Sequence, residues 1–237
     1  MKNMKKIVFL TGAGMSAESG LETFRDSNGL WENYQLNDVA SIDGWRRDPN
    51  LVQKFHNTQR RRVMNALPHK GHIALSILEK HFKVDIITQN VDDLHERAGS
   101  TSVLHLHGLI TKAQSVFDPS LTYDIIGSEL STKDKCIHGL NLRPNVVWFG
   151  EPVLHIKKAK FLCASADILV VIGTSLNVLP AADLINEVSV KTTIYIIDPD
   201  PELKHSNSIK VCEVASIGIE MVIGKIIEDN FTNSQAL

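Results

Sequence analysis

The stretch KIVFLTGAGMSAESG, residues 6–20, joins a run of apolar residues directly to a glycine-rich turn. Its apolar half predicts a buried parallel strand over Lys6–Thr11. In the turn, Gly12-Ala13-Gly14 would let the backbone approach a pyrophosphate closely, and a helix-prone segment from Ser16 would offer free N–H groups. The sixth position of the G-x-G-x-x-G pattern is Ala17, and alanine is tolerated there. Taken alone, the turn is equally compatible with a ligand-free strand–helix connection.

Further runs rich in Val and Ile predict strands at Val84–Thr88, Ile168–Gly173 and Thr193–Asp198. Apolar residues at helical spacing predict helices at Asp48–Met64, His69–Phe82 and His155–Ser165. This alternation predicts an α/β fold, a Rossmann-like parallel sheet with helices on both faces. Ligands of such sheets bind at the carboxyl ends of the strands. The sequences TGAG, TQNVD and GTS stand at three of those ends, and one crevice would collect them.

The length of 237 residues fits one domain spanning residues 1–237. Residues 110–142 have little clear periodicity, and we interpret them as a small inserted lobe. Asp198 ends a predicted strand, where a carboxylate can accept hydrogen bonds from a ribose. It precedes Pro199-Asp200-Pro201, so a simple turn is the alternative.

Composition excludes several classes of partner. The formal net charge of −2 and the pI near 6.5 give no electrostatic reason to expect nucleic acid. No apolar run reaches the roughly 18 residues that span a bilayer, so we expect no membrane attachment. Cys136, Cys163 and Cys212 lie far apart in sequence, which fits a reducing cytoplasm better than a disulfide framework.

Five motifs, spread in order over Lys6 to Ile227, resemble those of the sirtuins. They are GAGMSAESG (12–20), QNVD (89–92), HLHG (105–108), PNVVWFGE (144–151) and GTSLNVLP (173–180). Thr23-Phe24-Arg25 extends the first motif, and the segments Arg25–Trp31 and Phe55–Asn57 are most similar to the desuccinylase-type branch.

The resemblance implies that NAD is bound as a co-substrate. The diphosphate and its ribose would be surrounded by Gly12, Ala13, Gly14, Ser16, Ala17 and Glu18, with Phe24 and Arg25 on a closing loop. Gln89, Asn90 and Asp92 would line a nicotinamide pocket. The adenosine side would be formed by Gly173, Thr174, Ser175, Asp198, Ala215 and Ser216, with Asp198 standing where many sirtuins carry asparagine.

The resemblance also implies an NAD-dependent protein lysine deacylase, most simply a deacetylase. In that reaction the acyl oxygen attacks the ribose as nicotinamide leaves, and the products are free lysine, nicotinamide and O-acyl-ADP-ribose. Asn90 and His107 would be the catalytic residues, with His107 the general base, because histidine titrates near neutral pH. His105, two residues earlier, would share a face with His107 in a strand and is the alternative base. A purely structural histidine at position 107 is the other alternative.

Acyl-lysine protein or peptide substrates would bind between two edges. Phe149-Gly150-Glu151 and Leu176-Asn177-Val178 resemble the segments that clamp an extended peptide through main-chain hydrogen bonds. At the acyl pocket, His56 and Gln59 replace the tyrosine and arginine of desuccinylase-type sirtuins. We therefore expect acetyl-lysine to be preferred, with a protonated His56 partly replacing the missing charge as the pH falls from 8 to 6. Arg60 is either a substitute cation or part of a solvated helix face.

The usual zinc site of sirtuins is missing its ligands. Between His107 and the PNVVWFGE motif the chain has one cysteine, Cys136, so a four-thiolate site cannot form. A site of Cys136, His138 and Asp118 is a remote alternative. We expect no zinc, and a lobe held by packing of Val116, Phe117, Leu121, Tyr123, Ile125, Ile126 and Leu130.

Two other functions stay open at this point. Protein ADP-ribosyl transfer or NAD hydrolysis would use the same nicotinamide-cleaving step. A non-catalytic NAD-sensing module would use only the binding site. The intact Asn90, Asp92 and His107, together with the peptide-clamp sequences, favour deacylation.

Overall fold

The computed structural model describes residues 4–22, 30–31, 34–201, 205 and 207–235. Its strands are β1 (Lys6–Thr11), β2 (Leu30–Trp31), β3 (Tyr34–Gln35), β4 (Lys83–Thr88), β5 (Val103–His105), β6 (Gly108–Ser115), β7 (Thr122–Asp124), β8 (Leu142–Val146), β9 (Ile168–Ile172), β10 (Thr193–Ile197) and β11 (Ser208–Val211). Its helices are α1 (Gly14–Ala17), α2 (Leu36–Val39), α3 (Ile42–Arg47), α4 (Pro49–Asn65), α5 (Lys70–Leu78), α6 (Leu94–Arg97), α7 (Ile156–Ala164) and α8 (Ala215–Gln235), with a 3-10 helix at Ala181–Glu187.

A six-stranded parallel sheet forms the centre, in the order β11-β10-β9-β1-β4-β5. Alternate side chains of β1 enter two separate cores. Ile7 and Phe9 pack in a core with residues of α5 and α8, whereas Val8 and Leu10 pack in one with residues of α7 and the 3-10 helix. A sheet buried on both faces requires strands that are apolar at every position. The predicted Rossmann-like α/β fold is confirmed.

The four predicted strands match β1, β4, β9 and β10 to within one residue at each end. The predicted helices match α4, α5 and α7, and two of them begin at side-chain caps. Asp48 Oδ1 accepts a hydrogen bond from Leu51 N at 3.0 Å, and His69 Nδ1 accepts one from Gly71 N at 3.0 Å. Such caps satisfy N–H groups that the first turn of a helix leaves free.

The order of the sheet also places the ligand crevice. From β1 the chain winds to β4 on one side and later returns to β9 on the other. In an open parallel sheet, the crevice at such a reversal lies beyond the carboxyl ends of the two flanking strands. Those ends are Thr11 of β1 and Ile172 of β9, and each is followed by a glycine turn.

A separate antiparallel sheet, β7-β6-β8, carries much of residues 110–142. Its small core contains Ala113, Leu130, Cys136 and Leu142, with Tyr123 and Ile125 packed against it. The prediction that Phe117 and Ile126 pack inside the lobe is wrong, because these residues are 81% and 98% exposed. Val116, at 40%, is exposed as well. The buried Cys136 packs in this small core, and the β-ladder adds backbone hydrogen bonds to the lobe.

No helix in the described part of the chain combines the length and the apolar character needed to cross a membrane.

Candidate active site

The glycine turns after β1 and β9 pack backbone against backbone. Gly14 N donates to Gly173 O at 2.9 Å, and Gly173 has a φ of +58°. A Cβ atom on Gly14 would lie 2.6 Å from Gly173 Cα, and one on Gly12 would lie 2.6 Å from Thr174 Cβ. Each glycine is therefore required by close approach of the two turns, and neither turn tolerates a side chain at these positions.

Asn90, Asp92 and Ser16 form a buried polar cluster beside the first turn. Asn90 Nδ2 donates to Gly12 O and to Ser16 Oγ, both at 3.0 Å. Ser16 Oγ in turn donates to Asp92 Oδ2 at 2.8 Å. Burial raises the pKa of Asp92, and hydrogen bonds from Ser16 and the Leu94 N–H oppose that rise. The predicted nicotinamide residues Asn90 and Asp92 are thus gathered in one place. The two N–H groups of Asn90 are both used, so the carboxylate of Asp92 is the group that can accept from a carboxamide.

Two contacts extend this cluster toward the adenosine side. Gln89 Nε2 donates to Thr174 Oγ1 at 3.1 Å, which joins the β4 and β9 loops. Glu18 accepts hydrogen bonds from Ser216 N at 2.8 Å and from Ser216 Oγ at 2.7 Å. Burial would raise the pKa of Glu18, but the bonds from Ser216 outweigh it and hold that pKa below its usual value. Both carboxylate oxygens of Glu18 are therefore used in securing the first turn of α8.

The remaining predicted cofactor residues occupy the same edge of the sheet. Asp198 is buried at the end of β10, where its Oδ1 accepts from Asp200 N at 3.0 Å. Ala215 is buried with Ser216 at the start of α8, and Ala13 and Ser175 are half-buried. Ala17 is exposed. Phe24 and Arg25 lie outside the described residues.

His107 is held by one ring nitrogen, and its other ring nitrogen bonds no residue in the described part of the chain. Its Nδ1 lies 2.8 Å from Gln89 O. Because a carbonyl oxygen only accepts, Nδ1 carries the proton, and Nε2 bears the lone pair of the neutral ring. Burial lowers the pKa of His107, and the bond to Gln89 only partly opposes this. A neutral imidazole in this tautomer is the form that a general base requires.

His105, the alternative base, has no free ring nitrogen. Its Nδ1 lies 3.1 Å from Asn90 O, and its Nε2 lies 2.7 Å from Glu96 Oε1. Burial would lower the pKa of His105, yet the contacts with Glu96, Asn90 and Asp92 raise it above the usual value. A histidine that is charged and bonded on both sides cannot take up a further proton. This bonding does not favour His105 as a general base.

The two expected peptide-binding edges are exposed only in part. Phe149 is 46% exposed, and its N–H donates to Ala40 O at 2.9 Å. Asn177 and Val178 are exposed, but Leu176 is buried in the core shared with α7. Glu151 makes a two-pronged ion pair with Arg143 at 2.8 and 2.7 Å, and it accepts from Trp148 N at 2.9 Å. Direct substrate contact by Leu176 or the Glu151 carboxylate is thus not supported.

His56 is buried at 3% exposure, and both of its ring nitrogens are used. Nδ1 donates to Val52 O at 2.9 Å, so Nε2 accepts from the Trp148 indole N–H at 3.3 Å. Burial, followed by the charges of Arg60 and Arg143, lowers the pKa of His56 to about 4. The prediction that His56 gains a proton as the pH falls from 8 to 6 is wrong, because its ring stays neutral throughout that range.

Arg60 joins α4 to the small antiparallel sheet. Its side chain is fully buried and donates to Ile110 O at 2.6 Å, Asn57 Oδ1 at 2.6 Å and Ser128 O at 3.1 Å. Burial lowers the pKa of Arg60 to about 10, which leaves the group charged at neutral pH. The alternative of a solvated helix face is wrong for Arg60, although Arg61 and Arg62 are exposed. Gln59, the other predicted pocket residue, is also buried.

Metal-ligating side chains do not cluster in the described ranges. No group of three or more His, Cys, Asp or Glu residues there could hold a metal ion. Cys136, His138 and Asp118 do not form such a group, so the remote alternative of a site built on them finds no support.

Three histidines behind the glycine turn, of which His72 and His95 are buried, were not predicted from the sequence. His69 Nε2 contacts Met15 O at 2.7 Å, and His95 Nε2 contacts Thr11 Oγ1 at 3.2 Å. His72 lies between them, with ring centroids 4.3 Å from His69 and 4.9 Å from His95. His69 belongs to a predicted helix start and His95 follows the TQNVD segment, but neither position signals contact with residues 11–15. These contacts join segments far apart in sequence.

Comparison with known proteins agrees with this geometry. The model of the Sir2 family matches residues 12–180. An NAD-dependent protein deacylase from Bacteroides thetaiotaomicron is 48% identical over 92% of this chain and 96% of its own length. One from Helicobacter pylori is 46% identical over 95% of this chain and 99% of its own length.

Solved structures show the same relationship. A Sir2 homologue in complex with NAD aligns with a TM-score of 0.84 at 36% identity, covering 95% of this chain and 91% of its own. Sir2Tm bound to a propionylated peptide aligns with a TM-score of 0.76 at 27% identity, covering 94% and 93%. The resemblance read from the motifs is confirmed, and the chain belongs to the Sir2 family.

Proposed function

We propose that this protein is an NAD-dependent protein lysine deacylase, and specifically a deacetylase. The observation that carries the proposal is the state of His107, whose Nδ1 is bonded to Gln89 O and whose Nε2 bonds no residue that the structure describes. It stands next to the buried cluster of Asn90, Asp92 and Ser16. The two relatives from Bacteroides and Helicobacter are named for the same activity.

The residues present fit NAD. The N–H groups of Gly12, Gly14, Met15 and Ser16 are bonded within the fold, so within residues 12–16 the Ala13 N–H is the group that could bind a diphosphate. The buried carboxylate of Asp92 can accept from the carboxamide N–H, and the Asn90 side chain orients Ser16 beside it. Asp198 at the end of β10 is placed to accept from a ribose hydroxyl.

Each catalytic group has one task in this proposal. Bound NAD supplies the ADP-ribosyl group that accepts the acyl group as nicotinamide departs. His107 accepts a proton at Nε2 from a ribose hydroxyl, and Gln89 O stabilises the imidazolium by keeping the Nδ1–H bond. Asn90 holds Gly12 O and Ser16 Oγ, which fixes the shape of the pocket.

An acyl-lysine peptide would lie along the exposed edges at Phe149-Gly150 and Asn177-Val178, taking its affinity from main-chain bonds. On α4, Arg60 bonds Ile110 O, Asn57 Oδ1 and Ser128 O and leaves only its buried Nη2 without a partner among the described residues, whereas His56 is neutral. This arrangement favours an uncharged acyl group. We do not expect nucleic acid or membrane as partners.

We further propose one catalytic domain over residues 1–237, with residues 110–142 as a zinc-free lobe. The small core around Leu130, Cys136 and Leu142 supports a lobe that is held by packing. The three free cysteines fit a reducing compartment, for which we propose the cytoplasm.

The deciding experiment incubates acetyl-, succinyl- and longer-acyl-lysine peptides with NAD and follows peptide mass and O-acyl-ADP-ribose by mass spectrometry. Loss of the acyl group with matching O-acyl-ADP-ribose supports the proposal. Nicotinamide release without any change in peptide mass would instead indicate NAD hydrolysis or ADP-ribosyl transfer. No nicotinamide release with any peptide would leave an NAD-binding module.

A further inference from the structure

His105 is surrounded by groups that only accept hydrogen bonds. Asn90 O lies 3.1 Å from Nδ1, and Glu96 Oε1 lies 2.7 Å from Nε2. A carbonyl oxygen and a carboxylate have no proton to give, so both contacts are satisfied at once only when both ring nitrogens carry protons. The geometry therefore requires an imidazolium at position 105. Its side chain is 10% exposed, whereas the Glu96 side chain is 39% exposed.

The charges around His105 are arranged to suit a cation. Glu96 on α6 pairs with it directly, and Asp92 in the preceding loop adds a second negative charge. His95, also on α6, faces the same site, but burial lowers its pKa to about 4, so it is neutral at pH 7 and does not repel His105. The interactions with Glu96 and Asp92 raise the pKa of His105 in spite of its burial.

The charged ring is linked to the proposed nicotinamide pocket through one carbonyl. The backbone O of Asn90 accepts a hydrogen bond from His105. The side chain of Asn90 donates to Gly12 O and Ser16 Oγ. Asp92 is bonded to the same Ser16 hydroxyl. A neutral ring has a single N–H, so deprotonation must break the contact with either Asn90 O or Glu96. Loss of one proton therefore disturbs the residue that shapes the pocket.

We propose that Glu96 and His105 form an ion pair that positions Asn90 and Asp92, and that loss of the His105 proton sets the alkaline limit of the reaction. This inference rests on the proposed function, since it names a control on the same site. His105 is a positioning residue here, because it touches the backbone of Asn90 and not the substrate. The base His107 must be neutral and His105 must be charged, so activity is confined to a window between the two titrations.

The test compares kcat/KM for NAD from pH 5.5 to 9.5 in the wild type and in Glu96→Gln, with an acetyl-lysine peptide. Glutamine keeps an acceptor for Nε2 but removes the charge. We expect the alkaline limb to move down by about one pH unit, a tenfold change in the acidity of His105, with the acid limb unmoved. Glu187→Gln is the matched control, because Glu187 is also a partly exposed member of an ion pair, with Lys160, at the end of the 3-10 helix. Its profile should overlie that of the wild type.

A second measurement does not depend on turnover. NMR titration of the ligand-free protein, with the His105 signal assigned from a His105→Asn variant, should show His105 titrating above 6.5. The titration should fall in Glu96→Gln and be largely restored in Glu96→Asp, which also serves if Glu96→Gln fails to fold.

A His105 that titrates below 6.5, or an alkaline limb that Glu96→Gln leaves in place, would overturn the ion-pair proposal. If no acyl-lysine peptide were turned over, the proposed function would fail, while the NMR titration would still decide the state of His105.

Discussion

His105 and His107 bind two consecutive backbone carbonyls, those of Asn90 and Gln89, at 3.1 and 2.8 Å. The two histidines are two residues apart in the chain, and their rings differ in the group that faces the Nε2 atom. Glu96 faces Nε2 of His105, whereas none of the described residues bonds Nε2 of His107, which leaves it available for proton transfer. The loop after β4 is thus held by two histidines, of which only one can act as a base.

Acyl selectivity follows from the buried neutral state of His56. We expect acetyl-lysine to be preferred over succinyl-lysine in kcat/KM by roughly ten- to a hundredfold, since a hydrogen bond to a charged group contributes ~1.5–3 kcal/mol and the neutral His56 supplies no such charge. Because the pKa of His56 is about 4, the ratio should be constant from pH 6 to 8. Parallel assays of both peptides at several pH values measure it. A succinyl preference, or a ratio that rises as the pH falls, would contradict this reading of the pocket.

Arg60 should behave as a structural residue. Arg60→Ala removes donors from Ile110 O, Asn57 Oδ1 and Ser128 O, and each buried group left unpaired costs ~1–3 kcal/mol, so we expect a destabilisation of about 3 kcal/mol or more. Denaturant unfolding measures it. Arg62→Ala, which removes an exposed guanidinium 3.3 Å from Glu22, is the control and should stay within about 0.5 kcal/mol. A stable Arg60→Ala protein that loses succinyl turnover would assign Arg60 to the acyl pocket.

Metal removal tests the small lobe. A core of Leu130, Cys136 and Leu142 with a single thiol provides no four-thiolate site, so purified protein should contain well under one zinc per chain. Activity and unfolding temperature should be unchanged after incubation with a chelator. Stoichiometric zinc that survives dialysis, found by elemental analysis, would show that the lobe recruits ligands in another way.

Acid should destabilise the fold through three buried histidines. Burial lowers the pKa of His56 and of His95 to about 4, and burial with the neighbouring histidines lowers that of His72 to about 2. The unfolded chain titrates near 6.5, so below that pH it binds more protons than the native state. The free energy of unfolding should therefore fall as the pH drops from 6.5 to 4, by up to about 1.4 kcal/mol per pH unit for each histidine. Urea unfolding at pH 7, 6 and 5 checks this, and a pH-independent midpoint would contradict it.

The central strands and the gathering of the motifs were predictable because they depend on local pattern. Strands buried on both faces are apolar throughout, so Ile7–Leu10 and Ile168–Ile172 stand out in the sequence. Parallel strands then bring their carboxyl ends to one edge of the sheet. By contrast, β5 (VLH) and β11 (SIKV) were missed, because they are short edge strands in which polar residues interrupt the apolar pattern.

The rest depends on contacts between distant segments. Glu18 and Ser216 are separated by 198 residues, and no local pattern pairs them. Arg60, Arg61 and Arg62 are identical in type, yet of the three only Arg60 is buried, where it bonds Ile110 O of β6. The neutral state of His56 arises in the same way, from its contact with Trp148 on a different part of the chain.

The central claim is that His107 is the base of an NAD-dependent deacetylation. Its most direct test is the stoichiometry of an acetyl-lysine peptide reaction with the wild type, His107→Ala and the control His138→Ala, which alters an exposed histidine. In the wild type and the control, each lysine freed should accompany one nicotinamide and one O-acetyl-ADP-ribose. In His107→Ala, O-acetyl-ADP-ribose formation should fall ~10²–10⁴-fold while NAD affinity, measured by calorimetry, is retained. Near-normal turnover in His107→Ala, or nicotinamide release without freed lysine in the wild type, would contradict the claim.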